Sequence, residues 1–109
     1  NAISALETCR KKQPSIIVSD VMMPQMDGFE LCRQIKNDIR ISHIPVILLT
    51  ARYDQTGITT GYKSGADSYI PKPFDLAFLK VVVGNILKNR EKIHSQYVTV
   101  TLLIRFDKQ

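Results

Sequence analysis

The fold is decided by residues 14–28, which read PSIIVSDVMMPQMDG. Residues 15–19 are rich in β-branched side chains and predict a short buried strand that stops at Asp20. Val21–Asp27 contains methionines and a proline and is closed by Gly28, so it predicts a loop. A buried strand that ends on a carboxylate and is followed by a loop is the feature from which the rest of the chain is interpreted.

Outward from this stretch, predicted helices and strands alternate. Helices are predicted at Ile3–Lys12, Phe29–Asn37, Asp54–Ser64 (with Gly65 as its C-cap) and from Asp75 to about Asn89, with Asp27 and Asp75 as N-caps. Further strands are predicted at Pro45–Leu49, Ser68–Ile70 and, after a charged hinge at Asn89–Lys92, Tyr97–Phe106. The last helix carries an apolar stripe of Leu76, Leu79, Val82, Val83, Ile86 and Leu87. The alternation predicts a parallel α/β sheet, and its continuously apolar strands predict helices on both faces.

Three chemically matched residues follow three of these strands. Asp20, Thr50 and Lys72 each stand at a carboxyl end, where parallel α/β sheets place their sites. A carboxylate can act as a nucleophile that carries a phosphoryl group, while a lysine and a hydroxyl can stabilise the phosphoryl oxygens. Individually, Asp20 could cap a turn, Thr50 could be an ordinary strand end and Lys72 could be a solvated lysine. The interpretation therefore depends on the set.

The surrounding motifs resemble those of response-regulator receiver domains. The matching runs are SDVMMPQMDG at 19–28, PVILLTA at 45–51 and GADSYIPKPF at 65–74. The resemblance covers roughly residues 1–88, which we assign to a partial receiver domain, and leaves residues 89–109 as a linker and tail. It implies a flavodoxin-like parallel sheet with helices on both faces.

The resemblance also implies a role for each matching position. Asp20 would accept a phosphoryl group from a histidine kinase, Lys72 would contact that group, and Thr50 would move toward it. Mg²⁺ would bind Asp20 and the backbone carbonyl of Met22. Tyr69 would swing inward as a switch residue, although a strand tyrosine with a buried ring and a wet hydroxyl is the ordinary alternative. The glycine-containing helix Asp54–Ser64 would belong to the surface that changes, and the Lys72–Pro73 peptide would be cis.

The sequence departs from the family pattern before Asp20. Receivers begin with a strand followed by two acidic metal ligands, but the only earlier acid is Glu7. We therefore expect a chain that lacks the first strand, first helix and second strand, and Mg²⁺ binding that is weak or absent. The missing strand would leave residues 15–19 with an open edge, which recruits a partner strand. The tail strand Tyr97–Phe106 is predicted to fill it, from its own chain or from a neighbour in a strand-swapped homodimer.

The amino-acid sequences of these motifs are similar to those of receivers in Bacteroides-type hybrid sensors. That resemblance implies a parent protein anchored in the inner membrane, with this part in the cytoplasm beside a kinase and an AraC-type DNA-binding output domain. The net charge is +5, but no aromatic residues are interleaved with the basic groups at 10–12 and 88–92, so direct nucleic-acid binding is not expected. No membrane contact by this chain is expected either.

Three other classes compete with this interpretation. A phosphatase of the haloacid dehalogenase type would need a second aspartate at position 22, which is a methionine. A nucleotide hydrolase would need a glycine-rich loop ending in Gly-Lys-Ser/Thr, which the sequence lacks. A receiver-like interaction or dimerisation module that never accepts phosphate stays open as the alternative. Metal-dependent phosphorylation discriminates it from a working receiver.

Overall fold

A computed structural model describes residues 2–23, 26–89 and 99–103. Its helices are α1 (Ala2–Lys12), α2 (Gly28–Asn37), α3 (Gln55–Lys63) and α4 (Leu76–Lys88). Its strands are β1 (Ile16–Asp20), β2 (Met22–Met23), β3 (Met26–Asp27), β4 (Val46–Thr50), β5 (Ser68–Pro71) and β6 (Val100–Leu103). The predicted helices and strands are therefore present. Their ends differ from the prediction by at most one residue, except for the tail strand, of which the structure describes Val100–Leu103.

Four strands form one parallel sheet in the order β5-β4-β1-β6. In this sheet Asp20 is paired with Leu49 and Thr50 with Pro71, so the carboxyl ends of β1, β4 and β5 lie side by side. Such an arrangement confirms the predicted α/β class. It also gathers the three candidate residues at one edge.

The tail strand takes the position beside β1 that the sequence assigned to it. β6 runs parallel to β1 in the same chain, with Ile16 opposite Val100 and Ser19 opposite Leu103. The Ser15 amide also donates to the carbonyl of Thr99 at 2.8 Å. This confirms the prediction for Val100–Leu103, while the remainder of the predicted strand, apart from Thr99, lies outside the described residues.

Both faces of the sheet are covered, because every residue of β1 and β4 is buried. One face packs against α1, α2 and α3 and includes Ile17 and Leu48. The other packs against α4 and includes Ile47 and Leu49. Side chains of a strand point alternately to opposite faces, so a five-residue apolar strand serves both layers. None of the helices in the described ranges is long and apolar enough to span a bilayer.

The two cysteines belong to the first of these cores. Cys9 and Cys32 are fully buried and free. Burial raises the pKa of each thiol, because it disfavours the thiolate. Both therefore pack as small apolar side chains, as their helical positions predict.

Aspartates begin three of the helices. Asp27 accepts a hydrogen bond from the Phe29 amide, Asp54 from that of Gly57 and Asp75 from that of Ala77. These bonds satisfy backbone donors that have no partner inside the helix. The predicted N-caps at Asp27 and Asp75 are confirmed. At the end of α3 the cap itself is Ser64, and Gly65 follows it with a φ of 96° that only glycine adopts easily.

Two local predictions were wrong. Val21–Asp27 is not all loop, because β2 and β3 pair in antiparallel fashion, with Met22 opposite Asp27 and Met23 opposite Met26. Leu76 was placed in the buried stripe of α4, yet it is 60% exposed. Leu76 is the first residue of that helix, ahead of the turns that contact the sheet. The rest of the stripe does pack on the second core, with Leu79 buried.

A charge cluster ties α1 to the segment that follows α2. The Asp38 carboxylate lies 2.7 Å from Arg10 Nε and 3.0 Å from Arg40 Nε. Hydrogen bonds from Arg40 and then Arg10 lower the pKa of Asp38 far below its usual range. The cluster therefore favours the folded state whenever Asp38 is ionised.

Acid should remove this contribution. Because the pKa of Asp38 is lower in the folded chain than in the unfolded one, its stabilisation is complete above about pH 5 and is lost as pH falls through the folded value. We expect Asp38→Asn to lower the urea midpoint at pH 7 and the difference from the wild type to shrink toward pH 3. The exposed Glu7→Gln serves as the control. A difference that stays constant with pH would contradict the role of this carboxylate.

Candidate functional site

The candidate site lies where β1, β4 and β5 end. Asp20 is the last residue of β1, Thr50 is the last residue of β4, and Lys72 follows β5 directly. The Lys72 amide donates to the Thr50 carbonyl at 2.6 Å, which extends the pairing of β4 and β5 to the end of both strands. The three residues predicted from the sequence are therefore brought together at one edge of the sheet.

Lys72 reaches across β4 to form an ion pair with Asp20. Two strand spacings separate β5 from β1, about 10 Å between their backbones. The Lys72 Nζ atom nevertheless lies 2.7 Å from Asp20 Oδ1. The Asp20 side chain is 1% exposed and that of Lys72 is 33% exposed. A buried carboxylate is thus held beside a cation that solvent still reaches, which suits a nucleophile whose reaction partner arrives from outside.

The Thr50 hydroxyl is engaged by the backbone of Arg52. Thr50 Oγ1 accepts a hydrogen bond from the Arg52 amide at 2.8 Å and donates to the Arg52 carbonyl at 3.1 Å. Thr50 is itself only 2% exposed. The hydroxyl is therefore fixed at the start of the loop between β4 and α3, and it can leave only by giving up two local bonds.

Tyr69 shares that carbonyl. Its hydroxyl donates to the Arg52 carbonyl at 2.9 Å, and its ring stacks on Phe29 and Tyr53 at centroid distances of 6.1 and 5.9 Å. The residue is 3% exposed. Since a carbonyl oxygen has two lone pairs, the hydroxyls of Thr50 and Tyr69 can bind it together. The ring is thus buried, and the hydroxyl is bonded to a protein carbonyl rather than being left to solvent.

The loop after Asp20 is anchored by its backbone. The Val21 amide donates to the Leu49 carbonyl at 2.9 Å, and the Gly28 amide donates to the Val21 carbonyl at 2.7 Å. Beside this loop is an open pocket of about 440 Å³, lined by Val21, Met22, Met23, Met26, Asp27, Phe29 and Arg52. Met22 is 78% exposed at its edge. The lining of the pocket is mostly apolar, and Arg52 contributes its one guanidinium group.

Metal ligands are sparse at this edge. In the parts of the chain that the structure describes, no group of three or more histidines, cysteines, aspartates or glutamates could hold a metal ion. What the predicted metal position offers is the Asp20 carboxylate, already paired with Lys72, and the backbone carbonyl of Met22. Mg²⁺ often binds through one or two carboxylates and keeps several waters. The residues fit such a water-rich site but not a closed one.

The sequence predicted the side chains of the candidate site but not the backbone groups that hold them in place. Asp20, Thr50, Lys72 and Tyr69 were all singled out, and the cis peptide at Lys72–Pro73 is present. The carbonyl of Arg52 was not anticipated, because no side-chain pattern marks a carbonyl that accepts two hydroxyls. The tight approach of Gly28 to the Asp20–Val21 backbone was also missed. A glycine directly after a loop rich in methionine was a signal that could have indicated it.

Comparison with known proteins gives one consistent family. Residues 1–83 match the model of the response regulator receiver domain. The signal receiver domain of a histidine kinase from Syntrophus aciditrophicus is 35% identical. Its alignment covers 90% of this chain and 74% of that one, with a TM-score of 0.75. The similarity extends to the flavodoxin-like arrangement of a parallel sheet with helices on both faces.

Two longer proteins are similar over the same region. "Histidine kinase P4" of Formosa agariphila is 45% identical over 89% of this chain and 7% of its own length. "Transcriptional regulatory protein AfsQ1" of Streptomyces coelicolor is 41% identical over 80% of this chain and 37% of its own length. The chain thus spans well under half the length of these curated relatives.

Proposed function

This chain belongs to the response-regulator receiver domain family, and we propose that Asp20 is the carboxylate on which it accepts a phosphoryl group. The observation that carries the proposal is the ion pair of 2.7 Å between buried Asp20 and Lys72 at the carboxyl ends of the strands. Receiver domains take part in two-component signal transduction with histidine kinases and output domains. The donor is proposed to be the phosphohistidine of such a kinase.

The step is a displacement at phosphorus. An Asp20 carboxylate oxygen forms the new O–P bond while the P–N bond of the phosphohistidine breaks, and that electron pair stays on the imidazole nitrogen. The Lys72 ammonium can donate a hydrogen bond to a phosphoryl oxygen while it stays paired with Asp20, since an ammonium has three donors.

Magnesium ion supplies additional positive charge to the phosphoryl oxygens when it is bound. Receiver domains generally use it for phosphorylation. For this chain we propose weak binding through Asp20 and the Met22 carbonyl, because the described residues contain no group of three or more acidic, histidine or cysteine side chains that could hold the ion. Lys72 then carries a larger share of the charge neutralisation than it would beside a full set of metal ligands.

Thr50 and Tyr69 are proposed as the switch residues. The Thr50 hydroxyl would exchange its two bonds with Arg52 for one to the phosphoryl group. That exchange frees the Arg52 carbonyl for Tyr69 alone and changes the loop between β4 and α3. Helix α3, with glycines at 57 and 61, is proposed as part of the surface that reports the change.

The function is tested by phosphorylating the whole chain. The chain is incubated with acetyl phosphate with and without MgCl₂, and its intact mass is recorded. We expect one added phosphoryl group with MgCl₂, little without it, and none in Asp20→Asn. Asp75→Asn is the matched control, because asparagine also caps a helix. Phosphorylation that persists in Asp20→Asn would remove Asp20 from this role. If neither the wild type nor any variant is phosphorylated, the result would favour an interaction module that never accepts phosphate.

The similarity to "Histidine kinase P4" supports a finer proposal about the parent protein. We propose a Bacteroides-type hybrid in which residues 1–88 act as a partial receiver domain in the cytoplasm and residues 89–109 are the linker and tail that follow it. An output domain of the AraC type is part of this proposal. Sequencing the gene and its flanks tests it, because a parent that lacks both kinase and DNA-binding regions contradicts it.

A strand-swapped homodimer is proposed as a second arrangement of β6. The pairing of β6 with β1 within one chain can form equally between two chains. Sedimentation equilibrium across a hundredfold range of concentration decides this point. A single monomeric mass throughout would rule out the swap.

A further inference from the structure

Helix α3 has two glycines on the face that it presents to Tyr69. A Cβ atom at Gly61 would lie 2.6 Å from Tyr69 Cδ1 and 2.9 Å from Cε1. One turn earlier, a Cβ atom at Gly57 would lie 3.0 Å from the Tyr69 hydroxyl oxygen. Residues four apart lie on the same side of a helix, so together they form a shallow channel for the ring.

These glycines are costly for the helix. Each interior glycine disfavours a helix by up to about 1 kcal/mol relative to alanine, and α3 has only nine residues. By contrast, a Cβ atom at Gly84 in α4 would meet no described atom within 4 Å beyond the backbone of its own helix. Contact with an aromatic ring therefore distinguishes the glycines of α3 from that of α4.

The other sides of the ring are already occupied. Phe29 and Tyr53 stack on it, and its hydroxyl is bonded to the Arg52 carbonyl. With neighbours around it and only 3% exposure, the ring has no room to yield to a methyl group at position 61. An added side chain must push it out or push the helix away.

We propose that Gly61 is a positioning residue for Tyr69, whose missing side chain admits the ring to its buried position. Through the shared Arg52 carbonyl, the position of the ring also affects the loop that holds the Thr50 hydroxyl. The placement of the ring stands independently. Only its consequence for phosphotransfer rests on the function proposed above.

The ring position is read by ¹⁹F NMR of the whole chain labelled with 3-fluorotyrosine. The chain has four tyrosines, and Tyr69→Phe identifies the resonance of Tyr69 by its disappearance. In Gly61→Ala we expect this resonance to move and to become broadened by a soluble paramagnetic agent. In Gly84→Ala it should stay in place and stay protected. An unmoved, protected Tyr69 resonance in Gly61→Ala would overturn the proposal.

Stability provides a second readout that a general helix effect would not reproduce. Gly61→Ala should raise the unfolding equilibrium constant about tenfold, whereas Gly84→Ala should lower it, because alanine favours a helix. In a Tyr69→Leu background, Gly61→Ala should no longer destabilise. If Gly61→Ala alone fails to fold, recovery of folding in the double variant supports the contact. Equal destabilisation in both backgrounds overturns it.

Phosphorylation by acetyl phosphate separates the two proposals. We expect Gly61→Ala to lower the initial rate at least threefold and Gly84→Ala to leave it unchanged. A displaced ring with an unchanged rate would overturn the link to phosphotransfer. If the wild type itself takes no phosphoryl group, the proposed function fails, while the NMR and stability results still decide the position of the ring.

Discussion

Replacing Lys72 with methionine is expected to lower the phosphorylation rate about a hundredfold and the free energy of unfolding by about 3 kcal/mol. The rate falls because the phosphoryl oxygens lose the nearest fixed positive charge. Stability falls because the Asp20 carboxyl, at 1% exposure, loses the ammonium that lies 2.7 Å from it and is left in a buried position without that partner. Removing one member of a buried pair costs more than the pair contributes.

A double-mutant cycle isolates this pair. Asp20→Asn removes the charge that Lys72 compensates, so Lys72→Met should destabilise much less in that background. The exposed Lys80→Met on α4 controls for loss of one positive charge. Urea unfolding gives the stabilities, and intact mass against time gives the rates. Additive effects of the two substitutions would show that the ion pair has no energetic importance.

Substituting alanine for Gly28 is also expected to lower both stability and the phosphorylation rate, in this case through a steric clash with the backbone. The new Cβ atom would lie 2.7 Å from Val21 Cα and closer still to the Asp20 carbonyl oxygen. Backbone atoms cannot rotate away as a side chain can, so the end of β1 must shift. We expect a loss of about 3 kcal/mol and a rate about a hundredfold lower, since displacement of a reacting group by 1 Å has that effect.

Gly84→Ala is the matched control for this substitution as well. It adds the same methyl group at an exposed helical glycine, where the Cβ atom meets no described atom within 4 Å beyond its own helix backbone. It should stabilise the chain by up to about 1 kcal/mol. Urea unfolding and the phosphorylation time course measure both variants. A Gly28→Ala chain as stable and as rapidly phosphorylated as the wild type would show that the loop accommodates the methyl group freely.

The parts that could be predicted from sequence are those with a repeating pattern. Ile16–Asp20 and Val46–Thr50 are short apolar runs, and parallel strands necessarily collect their carboxyl ends. This collection is why Asp20, Thr50 and Lys72 could be placed together. Aspartate caps could be predicted for a similar reason, because a short acceptor before a helix satisfies a specific backbone donor.

The parts that escaped prediction depend on close approach between distant segments. The hairpin of Met22–Met23 with Met26–Asp27 is too short for a periodic signal. The glycines of α3 were noted only as part of a helix on the surface that changes, since nothing in the sequence marks a ring lying against Gly61. Leu76 was misplaced because helical spacing continues to the first residue of α4, whereas contact with the sheet does not.

The pairing of β1 has a consequence for the order in which the molecule can assemble. Residues of β1 pair with residues of β4 that lie 29 positions later in the sequence, as Ile17 does with Val46. The strand on the other side of β1 begins only at Val100. The hydrogen bond from Ser15 to Thr99 closes a loop of 84 residues. Such distant contacts slow folding. During synthesis, β1 can therefore pair with β6 only after residues 100–103 have emerged from the ribosome.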